Sequence, residues 1–171
     1  MDGTAVLEPD VTVRGSVSDE HAAPVTVTVQ GEEVEVAADG SFEVVVTLEA
    51  GAQDLTVVAT DAVGNWVSAT REVAWFDVGT AWDVAGGRGK VQPVKLALTD
   101  PAGDPVQVDG VELELVRDGE VEASFEMRFV DGTDYLALVQ GVPRGTYDLR
   151  AVLTIEGFAA VVDGPELRVW R

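Results

Sequence analysis

Val25-Thr26-Val27-Thr28-Val29 and Val34-Glu35-Val36, followed by Asp39-Gly40-Ser41-Phe42 and then Ala59-Thr60-Asp61-Ala62-Val63-Gly64-Asn65, are the stretches that decide the fold. Apolar and polar residues alternate at period two within them, and glycine or Asp-Gly turns recur at intervals of about eight to twelve residues. The pattern extends outward on both sides and predicts seven short strands, near 4–8, 11–17, 24–30, 32–37, 41–49, 53–60 and 66–74. Val25, Val27 and Val29 then face one way with Phe42, Val44, Val46 and Leu48, which is enough to build one core between two sheets. Gln30-Gly31-Glu32 and Asp39-Gly40 supply the positive φ that tight hairpins need and so fix strand register.

The chain has 171 residues, more than one small sandwich of about 100 residues needs and fewer than three would take, so two domains are expected. Valine dominates a hydrophobic fraction of 46%, and its branched side chain favours strands. The formal charge is −20, from 31 acidic and 11 basic residues. Such a surface repels phosphate backbones and anionic membranes, so nucleic acid is excluded as a partner. The acidity is spread through the chain: residues 1–75 carry 14 acids and 2 bases, and the remainder 17 acids and 9 bases. With no cysteine there is no disulfide framework, and two cores of this size do not require one. No apolar run approaches the roughly 18 residues of a membrane span, so membrane insertion is not expected. Met1 before Asp2-Gly3-Thr4 reads as a start added to a piece of a longer secreted polypeptide.

The series Gly15-Ser16-Val17-Ser18-Asp19, Val25 to Gly31, Asp39-Gly40-Ser41-Phe42 and Ala59 to Asn65 resembles bacterial immunoglobulin-like repeats, nearest to the glucodextranase domain-B type, over residues 5–75. That resemblance implies a spacer or accessory module of a secreted enzyme, adhesin or surface-layer protein. The usual member has a small or polar residue after Gly-Asn where this chain has Trp66, which leaves room for an added contact surface.

Trp75 to Gln92 has four glycines and no clean alternation, and reads as a junction followed by a long loop, with the domain boundary near 75–78. Because few polar linker residues stand there, closely abutting, stiff domains are expected. Beyond it, Val94–Leu98, Val111–Val116, Val121–Val130, Tyr135–Val139, Tyr147–Ile155, Phe158–Val162 and Leu167–Trp170 alternate again and predict seven more strands. Gly145-Thr146-Tyr147-Asp148-Leu149 has the form of a tyrosine-corner strand, in which the phenol bonds back to an upstream carbonyl. Through Asp104-Pro105-Val106 and Asp134-Tyr135-Leu136-Ala137 this half loosely resembles immunoglobulin-like domains of the FixH/YtkA kind.

Chemistry is thinly represented. His21 is the only histidine, in an acidic loop without a nucleophile elbow, and reads as an exposed loop residue. Glu33, Glu35, Glu112 and Glu114 occupy outward strand positions and read as solvated faces, not as a glycosidase pair. Calcium is the metal to consider, with Asp61, Asp77 and Asp83 as loop ligands at the domain junction. Asp61 with Asn65 also has the simpler reading of a turn cap, since no Asp-x-Asp-x-Asp-Gly loop is present. Trp75, Phe76 and Trp82 are expected to pack the two sandwiches together, leaving Trp66 as the exposed ligand-binding aromatic. Lys95 invites comparison with isopeptide-forming lysines, Asp163 being the conceivable partner, although a solvated lysine is the plainer expectation.

The expected molecule is thus all-β, two tandem immunoglobulin-like antiparallel β-sandwiches at residues 1–75 and 76–171. It is not expected to be an enzyme or to carry a cofactor, a structural calcium apart. Its expected place is extracellular or at the cell surface, as a rigid spacer or protein-interaction module. The alternative is a carbohydrate-binding accessory module. Partners would be other domains of a larger parent protein, and protein or glycan at the surface.

Overall fold

A computed structural model describes residues 4–19, 24–85 and 91–170. His21, Lys90 and the glycines at 86, 87 and 89 lie outside them. The chain divides into two compact units, Met1–Phe76 and Asp77–Arg171, and each is an immunoglobulin-like β-sandwich.

The first unit has seven strands: β1 (Thr4–Val6), β2 (Asp10–Ser16), β3 (Thr26–Val29), β4 (Glu32–Val34), β5 (Ser41–Thr47), β6 (Gly51–Thr60) and β7 (Trp66–Trp75). One sheet runs β1-β7-β6-β3-β4, with β1 parallel to β7, and the other is the antiparallel pair β2-β5. The period-two pattern sends Val27 and Val29 of β3 and Phe42 of β5 into a shared core, with Val13, Val44 and Val57 packed against them. Burying each such side chain contributes about 1.5–3 kcal/mol, and the alternation makes a one-residue slip forfeit the whole set. Gln30 and Gly31 both take positive φ (51° and 86°), the two-residue turn whose twist matches the β3–β4 hairpin. Gly40 sits at φ 83° with its carbonyl accepting from the Val17 amide at 2.9 Å, and a Cβ there would run into the Val17 carbonyl.

The second unit has eight strands: β8 (Gly79–Val84), β9 (Val91–Thr99), β10 (Gly110–Arg117), β11 (Glu120–Glu126), β12 (Arg128–Asp131), β13 (Asp134–Gln140), β14 (Gly145–Ile155) and β15 (Phe158–Val169). Within the unit one sheet runs β11-β10-β14-β15 and the other β12-β13-β9-β8. Leu96 and Leu98 of β9, and Leu113, Leu115, Leu149 and Leu153 of the other sheet, are all buried to within about 1%. Turns with paired positive φ recur at Asp118-Gly119 and Glu156-Gly157, closing β10–β11 and β14–β15.

Three expectations need correction here. Trp75–Gln92 is not a junction plus a long loop, because Gly79–Val84 forms β8, pairing with β9 from Gly79↔Thr99 to Val84↔Val94. Only Trp82 and Val84 of β8 are partly buried, which leaves too short an alternation to stand out beside the glycines. Val121–Val130 is two strands in opposite sheets, broken at buried Met127, whose amide donates to the Val111 carbonyl at 2.8 Å. Phe158–Val162 and Leu167–Trp170 are not two strands: β15 runs unbroken from Phe158 to Val169, with Gly164 and Pro165 inside it, and Trp170 follows its end.

Candidate functional site

Trp66 opens β7 directly across from Thr60 and is 70% exposed, near the exposed Val63 and Val67 in the chain. The loop before it places the ring. Asp61 Oδ1 accepts from the amides of Val63 (2.9 Å) and Asn65 (2.8 Å), Asp61 Oδ2 accepts from Asn65 Nδ2 (2.7 Å), and Gly64 turns at φ 94°. Beside the ring is a groove of about 470 Å³ whose lining includes Ser16, Ser18, Asp19, Asp61 and Asn65. An aromatic face next to hydroxyl, amide and carboxylate groups is chemically suited to a polyhydroxylated ligand.

The Asn65 side-chain amide holds the Asp61 carboxyl below the usual aspartate range; desolvation opposes it, and the backbone N–H groups of the loop add to the lowering. Asp39 behaves alike: the Ser41 hydroxyl (2.7 Å) and amide (3.0 Å) donate to Oδ1 and lower its pKa. The Asp61 loop has a twin in the second unit. Asp100 Oδ1 accepts from the amides of Ala102 (2.9 Å) and Asp104 (2.8 Å), and the Asp100 amide donates to the Asp104 carbonyl as the Asp61 amide does to that of Asn65. Gly103, at φ 87°, matches Gly64. Asp61-Ala62-Val63-Gly64-Asn65 and Asp100-Pro101-Ala102-Gly103-Asp104 are thus one Asp-x-x-Gly-x turn used twice. The shared spacing is visible in the sequence.

Of the remaining expected metal ligands, Asp77 precedes β8 and is exposed, and Asp83 is exposed on β8 across from Lys95. Asp61 belongs to the first unit and these two to the second. Among the described residues no three histidines or carboxylates converge. Lys95 Nζ is 3.1 Å from Asp134 Oδ2, with 43% of its side chain exposed, while Asp163 lies on β15 opposite Arg150. The partner of Lys95 is therefore Asp134 and not Asp163. Trp82 packs within its own unit, its ring carbons stacked where a Cβ on Gly164 would lie. Sequence reasoning also missed Gln92, a buried polar residue on β9 whose Nε2 donates to the Arg168 carbonyl at 2.9 Å and so ties the two sheets of the second unit together.

Among solved structures, the chain is similar to the Clostridium thermocellum CbhA fibronectin(III)-like modules (14% identity, 99% of this chain and 89% of that one, TM-score 0.39). It is also similar to a DUF3823 family protein from Bacteroides ovatus ATCC 8483 (12% identity, 92% and 98%, TM-score 0.38). A third is the Bacteroides ovatus mixed-linkage glucan utilization locus SGBP-B in complex with mixed-linkage heptasaccharide (18% identity, 94% and 42%, TM-score 0.32). None of the curated proteins matches the sequence. Residues 1–75, which contain every strand of the first unit, match the family model described as glucodextranase, domain B.

Proposed function

We propose that the chain is a non-catalytic tandem module of a larger secreted or cell-surface protein, serving as a rigid spacer or protein-interaction module. The repeated Asp-x-x-Gly-x turn is the observation that carries this reading: Asp61 engages both carboxylate oxygens, and Asp100 its Oδ1, with N–H groups of its own loop. Carboxylates hydrogen-bonded into their own turns stiffen a scaffold. The short connection, Phe76 to Val78 between the end of β7 and the start of β8, supports the spacer role. Small-angle scattering tests it: a single interunit spacing that holds across salt and temperature is expected, and the broad distance distribution of a free hinge would contradict rigidity.

Trp66 favours a second reading, a carbohydrate-binding accessory module, because a large exposed indole stands beside a polar groove. Titration with soluble glucan oligosaccharides should then quench tryptophan fluorescence saturably, and Trp66→Ala should abolish the response. Unchanged fluorescence across the glucans would remove this reading.

A further inference from the structure

The outward face of the first unit's larger sheet carries hydroxyls where a comparable face of the second unit carries charges. Across β6 and β7, Thr60 stands opposite Trp66, Val58 opposite Ser68 and Thr56 opposite Thr70, and on β3 Thr28 stands beside Val58. These positions alternate with Val27, Val29, Val57 and Ala59, which pack into the core, so their side chains share the face turned away from it. None of them is charged, although residues 1–75 carry 14 acids. In the second unit, β10, β14 and β15 turn Glu112, Glu114, Asp148, Arg150, Asp163 and Glu166 outward between buried neighbours.

Strand propensity favours threonine on any solvated strand, but it acts on both units alike and accounts neither for this contrast nor for a tryptophan 70% exposed at the corner of the block. Covering an ionised side chain removes its water without return. A hydroxyl both donates and accepts, so it can exchange water for a ligand hydroxyl at little cost. Thr56 Oγ1 and Thr70 Oγ1 are 2.9 Å apart and bonded to each other, which leaves the hydrogen of the accepting hydroxyl for a ligand.

Charge sets the occupant. Glu33 beside Thr28, and the facing pair Asp54 and Glu72 beyond Thr56 and Thr70, border the block with carboxylates. They repel an anionic chain, and a cationic one gains more from the acids outside the block than from the block itself. A neutral polyhydroxylated chain meets hydroxyls in the middle, an aromatic ring at the corner and carboxylate acceptors at the rim.

We infer that this face binds a neutral, unbranched polysaccharide lying flat across β3, β6 and β7, with one sugar ring stacked on Trp66. The site rests on the carbohydrate-binding reading of Trp66 and places the sugar on the open sheet face instead of in the groove beside that residue. Strands about 4.8 Å apart, with three outward positions along β6 and β7, give a platform of roughly 10 Å by 13 Å, longer than a single sugar ring.

Calorimetric titration of the full chain with cellohexaose, laminarihexaose and maltohexaose tests it, with an oligogalacturonate of equal length as the charged counterpart. At least one neutral hexasaccharide should bind saturably, more tightly than its own disaccharide and independently of salt, and should shift the methyl resonances of Thr28, Thr56 and Thr70. Those shifts are read on the unaltered chain, so they decide the site even if a variant fails to fold; their absence on saturable binding would overturn it. Ser68→Lys and Ser68→Glu, at an exposed position and checked by circular dichroism, should each weaken binding by at least about tenfold, because either charge would have to be desolvated. Ser18→Glu, in the groove, should leave the affinity unchanged. If Ser18→Glu weakens binding and both Ser68 variants bind normally, the carbohydrate reading stands and the sheet-face site is overturned. Tighter binding of the oligogalacturonate would overturn the neutral occupant. Saturable binding by none of the four would remove the sheet-face site and the carbohydrate reading together.

Discussion

The Tyr147 hydroxyl donates to the Pro143 carbonyl at 2.9 Å, four residues back along the chain, while its ring lies buried in the second unit with the Arg117 guanidinium 4.2 Å above its centre. This tyrosine corner fastens the loop before β14 to the core. Tyr147→Phe keeps the ring and removes the bond. Because the Pro143 residue is exposed and its carbonyl can turn to water, the loss should be about 1 kcal/mol, lowering the unit's Tm by roughly 4–8 °C in calorimetry.

Gly164 is a packing residue. A Cβ there would stand 2.8–2.9 Å from two Trp82 ring carbons and 3.1 Å from Leu149 Cβ, so the indole would have to move. Gly164→Ala should destabilise the second unit by about 1–3 kcal/mol, read by urea unfolding, with a shift in tryptophan emission as Trp82 is displaced.

Acid should loosen the first unit through Asp39 and Asp61. Both have folded pKa values below their ordinary one, so the unfolded chain takes up their protons first. Their contribution is present above the ordinary aspartate pKa and is lost as pH falls from there through the lowered folded values. Asp39→Asn with Asp61→Asn retains an accepting oxygen in each turn but no titrating group. The double variant should show a flatter acid limb in stability measured from pH 5 down to pH 2.

Much of the fold is legible because period-two alternation and paired turn residues act locally. β9 reads as a strand from Val94, Leu96 and Leu98 alone, and Asp118-Gly119 announces its hairpin. Tyr147 is legible for the same reason, its partner being only four residues away. What escapes the sequence is set by distant neighbours. Alternation says which residues share a face but not whether a sheet covers that face, so the bare inner face of β7 at Val67 and Ala69 cannot be foreseen. Met127 looks like one more strand residue, yet there the chain leaves one sheet for the other. Asp61 illustrates the candidate site: its residue type suits both a cation and a turn, and only the positions of the Val63 and Asn65 amides show where its oxygens are engaged.

Thermal unfolding in EDTA, in calcium chloride and in magnesium chloride at matched ionic strength tests most directly whether the acidic loops serve the scaffold. If Asp61 and Asp100 hold turns, and Asp77 and Asp83 are solvated, the three melting curves coincide. A rise of several degrees with calcium alone, reflecting an ion bound to the native state, would contradict that and return Asp61, Asp77 and Asp83 to the role of ligands.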